Sequence, residues 1–261
     1  MRTHLNMYFC ILYRKHGIES ELQNYSTMKK ILTLVGALFM ATAMQAQYFC
    51  STPKAELHYV NYDEAGQSVS DATAYVQNVD KSANRIFTDY LFKHVTTKSK
   101  NNTSYSLTRW TYQDGKSICA EDLMYGLYIA DDSDPAQYDE AARMKMMDRH
   151  KFKGDNSFFL ADNAKAGEEM PDRFYQIAEN MVKKEVHITG VTYMGTEQVS
   201  TTAGRFNCLK ISYLQRSKIV LKNTNVRINE WYAKGIGLVK REVYDMKGRL
   251  DGKTLLVKVI K

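Results

Sequence analysis

Between residues 184 and 245 apolar and polar residues alternate in three long runs separated by turn residues, the period-two signature of strands with one buried face. Two segments fix where these runs reverse, Thr201-Thr202-Ala203-Gly204-Arg205-Phe206-Asn207-Cys208-Leu209-Lys210-Ile211 and Trp231-Tyr232-Ala233-Lys234-Gly235-Ile236-Gly237-Leu238-Val239-Lys240. In each, Gly204 or Gly235 supplies a positive φ just before a run that returns along the sheet. Upstream, residues 57–62 alternate, Asp63-Glu64-Ala65-Gly66 turns the chain, and residues 69–79 run back. The Tyr-Asp-x-x-Gly device of this turn recurs at Tyr244-Asp245-Met246-Lys247-Gly248. Residues 85–95 and 104–112 predict two more strands around a polar loop at 96–103; the second ends at Asp114-Gly115, a two-residue hairpin signal, and 117–120 continue the sheet.

One stretch departs from the alternation. Asp134-Pro135 followed by residues 136–150, with Tyr138, Ala141, Ala142 and Met146 near helical spacing, predicts a capped amphipathic helix. An apolar step at 158–160 leads into a loop over 167–172, and from Phe174 the chain reads almost wholly as strand, with final runs at 238–244 and 255–260. Ten or so antiparallel strands and one helix, short turns and no βαβ spacing predict a mainly β fold: a single curled antiparallel sheet or open barrel with about one packed helix.

The N-terminus adds a destination. Met28-Lys29-Lys30, the 13 apolar-rich residues 31–43 and a small-residue exit ending at Ala46 make a secretory signal peptide over 28–46. Its apolar run falls short of the roughly 18–20 residues a bilayer span needs, so no membrane span is expected after cleavage. Residues 1–27 then read as an upstream extension of the true start, and 47–261 as a single antiparallel β-rich domain in the periplasm or outside the cell. Removing 1–46, with five basic and two acidic side chains, lowers the formal net charge from +7 to +4. So small a charge, unclustered, argues against nucleic acid as a partner. Cys50, Cys119 and Cys208 remain, an odd number that leaves connectivity open; Cys208 reads as a small buried strand residue, which favours Cys50 with Cys119 as the possible disulfide. Tyr48-Phe49 before Cys50 are too bulky for a lipid-attachment site.

Candidate chemistry is sparse. His58, His94, His150 and His187 show no metal-ligand spacing, and the acids at Asp131-Asp132, Asp134, Asp139-Glu140 and Glu168-Glu169 suit solvated loops and a helix N-terminus. There is no Gly-x-Ser-x-Gly elbow or Cys-x-x-Cys pair, and Gly235-Ile236-Gly237 lacks the third glycine and following helix of a dinucleotide site. We therefore expect no catalytic residue, metal or cofactor. Tyrosine, with 18 copies, and the other aromatics offer a different possibility. Trp110, Tyr112, Tyr125, Tyr128, Phe158 and Trp231 could line a concave pocket for a lipid or other hydrophobic ligand, or form the core of the sheet.

The two reversal segments, with Tyr62 to Gly66, Gly167 to Asp172 and Tyr244 to Gly248, resemble a family of exported envelope proteins of gram-negative bacteria, a domain of unknown function labelled TapB-like. The resemblance implies an antiparallel β fold related to the curled half-barrels that carry lipoproteins across the periplasm, and no established activity. The leading expectation is a non-enzymatic binding or carrier module for a hydrophobic ligand; the alternatives are an assembly factor that binds another envelope protein through a sheet edge, and a hydrolase built on the scattered acids and histidines.

Overall fold

The computed structural model describes residues 47–96, 103–120, 151–179 and 182–261. Strand β1 (Glu56–Asp63) turns at Asp63 to Gln67 into β2 (Ser68–Lys81), and β3 (Arg85–Thr96), β4 (Thr103–Gln113) and β5 (Lys116–Ala120) follow as an antiparallel meander. Two short strands, β6 (Lys151–Gly154) and β7 (Ser157–Ala161), and the two-residue β8 (Glu169–Met170) precede the second meander. That meander comprises β9 (Arg173–Glu179), β10 (Val182–Thr201), β11 (Gly204–Ile219), β12 (Lys222–Ala233), β13 (Gly237–Tyr244) and β14 (Leu250–Ile260). Pairing of β1 with β14 joins the two meanders into one sheet, ordered β6-β9-β10-β11-β12-β13-β14-β1-β2-β3-β4-β5-β7, with β8 laid beside β10. The fourteen strands among the described residues exceed the ten or so expected, since β6, β7 and β8 are too short to carry a readable alternation. Among the described residues there is no helix. The helix expected over 136–150, the signal peptide expected over 28–46 and residues 1–27 lie outside them.

Alternation sets the curl. Along β2, Ala72, Ala74 and Val76 are buried while their neighbours are not, so apolar side chains collect on one face. Trp110 of β4 and Tyr232 of β12 stand six strand positions apart, about 29 Å on a flat sheet at ~4.8 Å per step. Their rings nevertheless meet at 5.9 Å. The sheet therefore wraps its apolar face inward, and Leu57, Tyr90, Leu160, Ile211, Val239 and Leu256 complete the same core.

The wrap stops short of a closed barrel. Its rims, β6 and β7, are joined by only Asp155 and Asn156, so the chain steps from one rim to the other within two residues. Gly154 makes the step possible: its φ is 98°, and a β-carbon there would collide with the Phe174 carbonyl oxygen, which accepts the Asp155 N–H at 2.9 Å. No strand covers the outer edge of β7 among the described residues. Side chains do so instead. The Tyr193 hydroxyl, from β10, accepts the Ala161 N–H at 3.2 Å and donates to the Phe159 carbonyl at 3.0 Å, while Arg173 Nη1 donates to the Ser157 carbonyl at 2.9 Å.

Candidate functional site

The concave face holds an aromatic cluster built from four distant parts of the chain. Trp110 of β4 packs edge-on against Phe158 of β7 (centroids 5.5 Å apart, 79°) and against Tyr232 of β12 (64°), and stacks on Phe49 at 5.7 Å and 26°. Phe49 belongs to no strand. It lies in the segment Gln47 to Ser51, which enters the concavity as a stopper with all five residues buried.

Backbone hydrogen bonds seat the stopper. The Tyr48 N–H donates to Ser117 Oγ at 2.8 Å, and the Gln47 carbonyl accepts the Gly235 N–H at 2.8 Å. The Tyr90 hydroxyl accepts from the Cys50 N–H and donates to the Cys50 carbonyl at 2.9 Å, satisfying both groups of one buried residue. Gly237, with a φ of 104°, passes close beneath; a β-carbon there would sit 3.6 Å from Phe49 Cα and 3.7 Å from the Tyr48 carbonyl oxygen. Gly66, Gly115, Gly204, Gly235 and Gly248 also take positive φ.

Polar groups ring the cluster at two places. Near Tyr48, the Tyr112 hydroxyl donates to Asp162 Oδ2 at 2.6 Å, and Lys234 lies 3.4 Å from Asp162 Oδ1 and 5.3 Å from the Tyr48 ring centre. The hydrogen bond to Asp162, more than burial, pushes the Tyr112 phenol up to about 12; burial, then the Asp162 charge, does the same for Tyr48. Farther along β12, Glu230 is buried and accepts the Tyr232 hydroxyl at 2.9 Å and Arg241 Nε at 2.6 Å. Burial and then the Glu230 charge hold the Tyr232 phenol well above its ordinary range. A second buried carboxylate, Asp89, accepts Arg109 through Nε and Nη2 at 2.7 and 2.8 Å, a bidentate clamp. Both acids are thus neutralised in place.

Of the aromatic residues singled out in the sequence, Trp110 and Phe158 meet in the cluster, and Tyr112 stands beside it on the same face. Trp231 does not join them. Being the pleat neighbour of Tyr232, it faces the opposite side of the sheet, buried under Lys210 and Lys240, whose ammonium groups sit 4.7 and 4.4 Å from its ring, with Nε1 donating to Glu197. Tyr125 and Tyr128 lie outside the described residues, as do His150 and the acids at 131–140. Phe49, Tyr90, Tyr232, Glu230 and Arg241 escaped the sequence reading; alternation around Trp231-Tyr232 cannot say which ring faces in. The pairing of Cys50 with Cys119 is not made. Both, and Cys208, are buried and outside any disulfide; Cys119 lies opposite Trp110 and Cys50 under Tyr90, each filling the core as a small apolar group. His58 contacts Glu56 at 3.0 Å, His94 contacts Ser106 at 3.0 Å, and His187 packs on Phe174 at 4.6 Å, so the described histidines stay apart.

Fold and site together define a single, strongly curled open sheet whose hollow is stoppered by residues 47–51 of the same chain. The chain belongs to the DUF3108-like family, whose model matches residues 55–256. That range contains both reversal segments on which the resemblance rested; the TapB-like label is not the description the match carries. The structure is similar to that of a candidate exported protein with a YmcC-like fold from Bacteroides fragilis, 19% identical, covering 82% of this chain and 98% of that one with a TM-score of 0.61. It is likewise similar to a candidate lipoprotein from Parabacteroides distasonis, 18% identical, with the same coverages and a TM-score of 0.62. These two likenesses establish the fold. No curated protein matches the sequence.

Proposed function

We propose that this chain is an exported, non-enzymatic interaction module that engages another envelope protein through its outer surface, rather than a carrier that encloses a lipid. The observation that carries this reading is the stopper: Phe49 occupies the place among Trp110, Phe158 and Tyr232 that an acyl chain would need. Export is supported by the signal-like run at 28–46 and by the likeness to the two solved structures, one of a candidate exported protein and one of a candidate lipoprotein. The non-catalytic reading is supported by the locking of the buried acids Asp89 and Glu230 against arginines.

The carrier reading requires residues 47–51 to leave the hollow, which makes the two separable. Protein purified without detergent from its own cells, in its natively processed form, should release no stoichiometric lipid on extraction and mass spectrometry. In-cell cross-linking should give one defined protein adduct. One lipid per chain, with no protein adduct, would overturn the proposal and restore the carrier.

A further inference from the structure

The hairpin joining β11 to β12 is unlike the other reversals in the sheet. Ile219 pairs with Lys222, leaving a two-residue loop of Val220 and Leu221. Where the comparable β4–β5 loop uses Asp114-Gly115, this one places a β-branched residue at a φ of 54°, a conformation that glycine or asparagine adopts with far less strain. Leu221 is 92% exposed, Val220 57% and Ile219 43%. Among the described residues the turn is held by the Val220 N–H donating to the Lys183 carbonyl at 3.3 Å while its apolar side chains stay exposed, so their apolar character answers to something outside the sheet.

On one side the apex overhangs its neighbour: pairing of β12 with β13 begins only at Arg227, so residues 222–226 run past the end of β13 by about 17 Å at ~3.4 Å per residue, while on the other side β10 flanks β11 as far as Ile219. Around the apex, residues 183–188 and 215–226 carry Lys183, Lys184, Arg216, Lys218 and Lys222 against a single acid, Glu185, which is engaged by Lys183 at 2.6 Å. The register distributes these cations on both faces. Lys184 and Lys222 each pair with Ile219 and share its face, whereas Lys218, opposite Glu185, and Arg216 lie on the other. An exposed Ile-Val-Leu tip inside a two-sided cationic collar is complementary to one kind of surface: apolar acyl chains beneath anionic headgroups.

We propose that the β11–β12 hairpin docks the protein tip-first on an anionic lipid bilayer, with Val220 and Leu221 entering the interface and the lysine collar meeting the headgroups. The inference is independent of the stopper and of the partner proposed above. Its test uses natively processed protein and vesicles of phosphatidylcholine, alone or with one-third phosphatidylglycerol, read by co-sedimentation at low and moderate salt. The wild-type protein should bind the anionic vesicles preferentially, and salt should weaken binding. The double substitution Val220→Asn, Leu221→Gly installs a favoured turn and so preserves the hairpin, yet it should lower partitioning at least about tenfold. Lys218→Gln and Lys222→Gln should each lower it by roughly fivefold and flatten the salt dependence. The proposal is overturned if the wild type ignores anionic vesicles, if the Asn-Gly variant partitions like the wild type while its melting temperature is undiminished, or if a cross-linker at position 221 captures a protein in cells and no lipid.

Discussion

Two tyrosines carry a pH dependence whose sign follows from their surroundings. Tyr48 and Tyr112 are both pushed from 10.0 to about 12, so the folded protein favours the protonated phenol. Their stabilising contribution is complete below pH 10, where the unfolded chain also keeps them protonated, and is lost as pH climbs towards 12. Alkaline unfolding followed by tyrosinate absorbance should therefore show a late-ionising subset. Tyr112→Phe should remove about 1 kcal/mol near neutral pH, the worth of one hydrogen bond, while making the alkaline fall shallower. If every tyrosine ionised together near pH 10 in the folded protein, the Asp162 contact would have no energetic content. No sequence signal marks Tyr112 as Asp162's partner, because fifty positions separate them and only the pairing of β4 and β7 on either side of β5 joins them.

At the scale of elements, hairpins were the most legible part of the chain. Asp114-Gly115 and Asp63 to Gly66 announce their turns chemically, and alternation along residues 57–62 and 69–79 places β1 and β2 to within a few residues. The Val220-Leu221 hairpin carries no turn chemistry, so it stayed hidden between the two reversals marked by glycine. Glu230 and Arg241 were equally silent: each looks like a solvated strand residue until register puts β12 and β13 side by side, with the two directly opposite on the inner face. That cross-strand pair predicts an asymmetry. Arg241→Ala strands a buried carboxylate and should cost about 3 kcal/mol in chemical denaturation, at the low end for orphaned buried charges because the Arg241 side chain is 42% exposed and water can follow it in. Pairing the change with Glu230→Gln should recover much of the loss. Equal destabilisation by the single and double variants would show that the charge at Glu230 is not what matters.

For the whole molecule, the sequence revealed a curled antiparallel sheet but not what fills it. Trp110 and Phe158 were visible as candidate lining residues, whereas Phe49 sat next to the expected signal peptide, where no alternation flags a strand. Phe49→Ala should lower stability by about 3–4 kcal/mol and alter the near-ultraviolet circular dichroism of Trp110, its stacking partner. A mutant as stable as the parent would mean that the hollow closes without the stopper. The two-residue passage through Asp155 and Asn156 carries a kinetic consequence. Because it ties the first rim to the last, β6 on β9 and β7 on β5 can both be in place only once the strands from β10 round to β4 have closed the circuit between them, so the entropy of that closure falls on a single late event. The molecule should consequently assemble slowly and melt as one unit, with no half surviving the loss of the other.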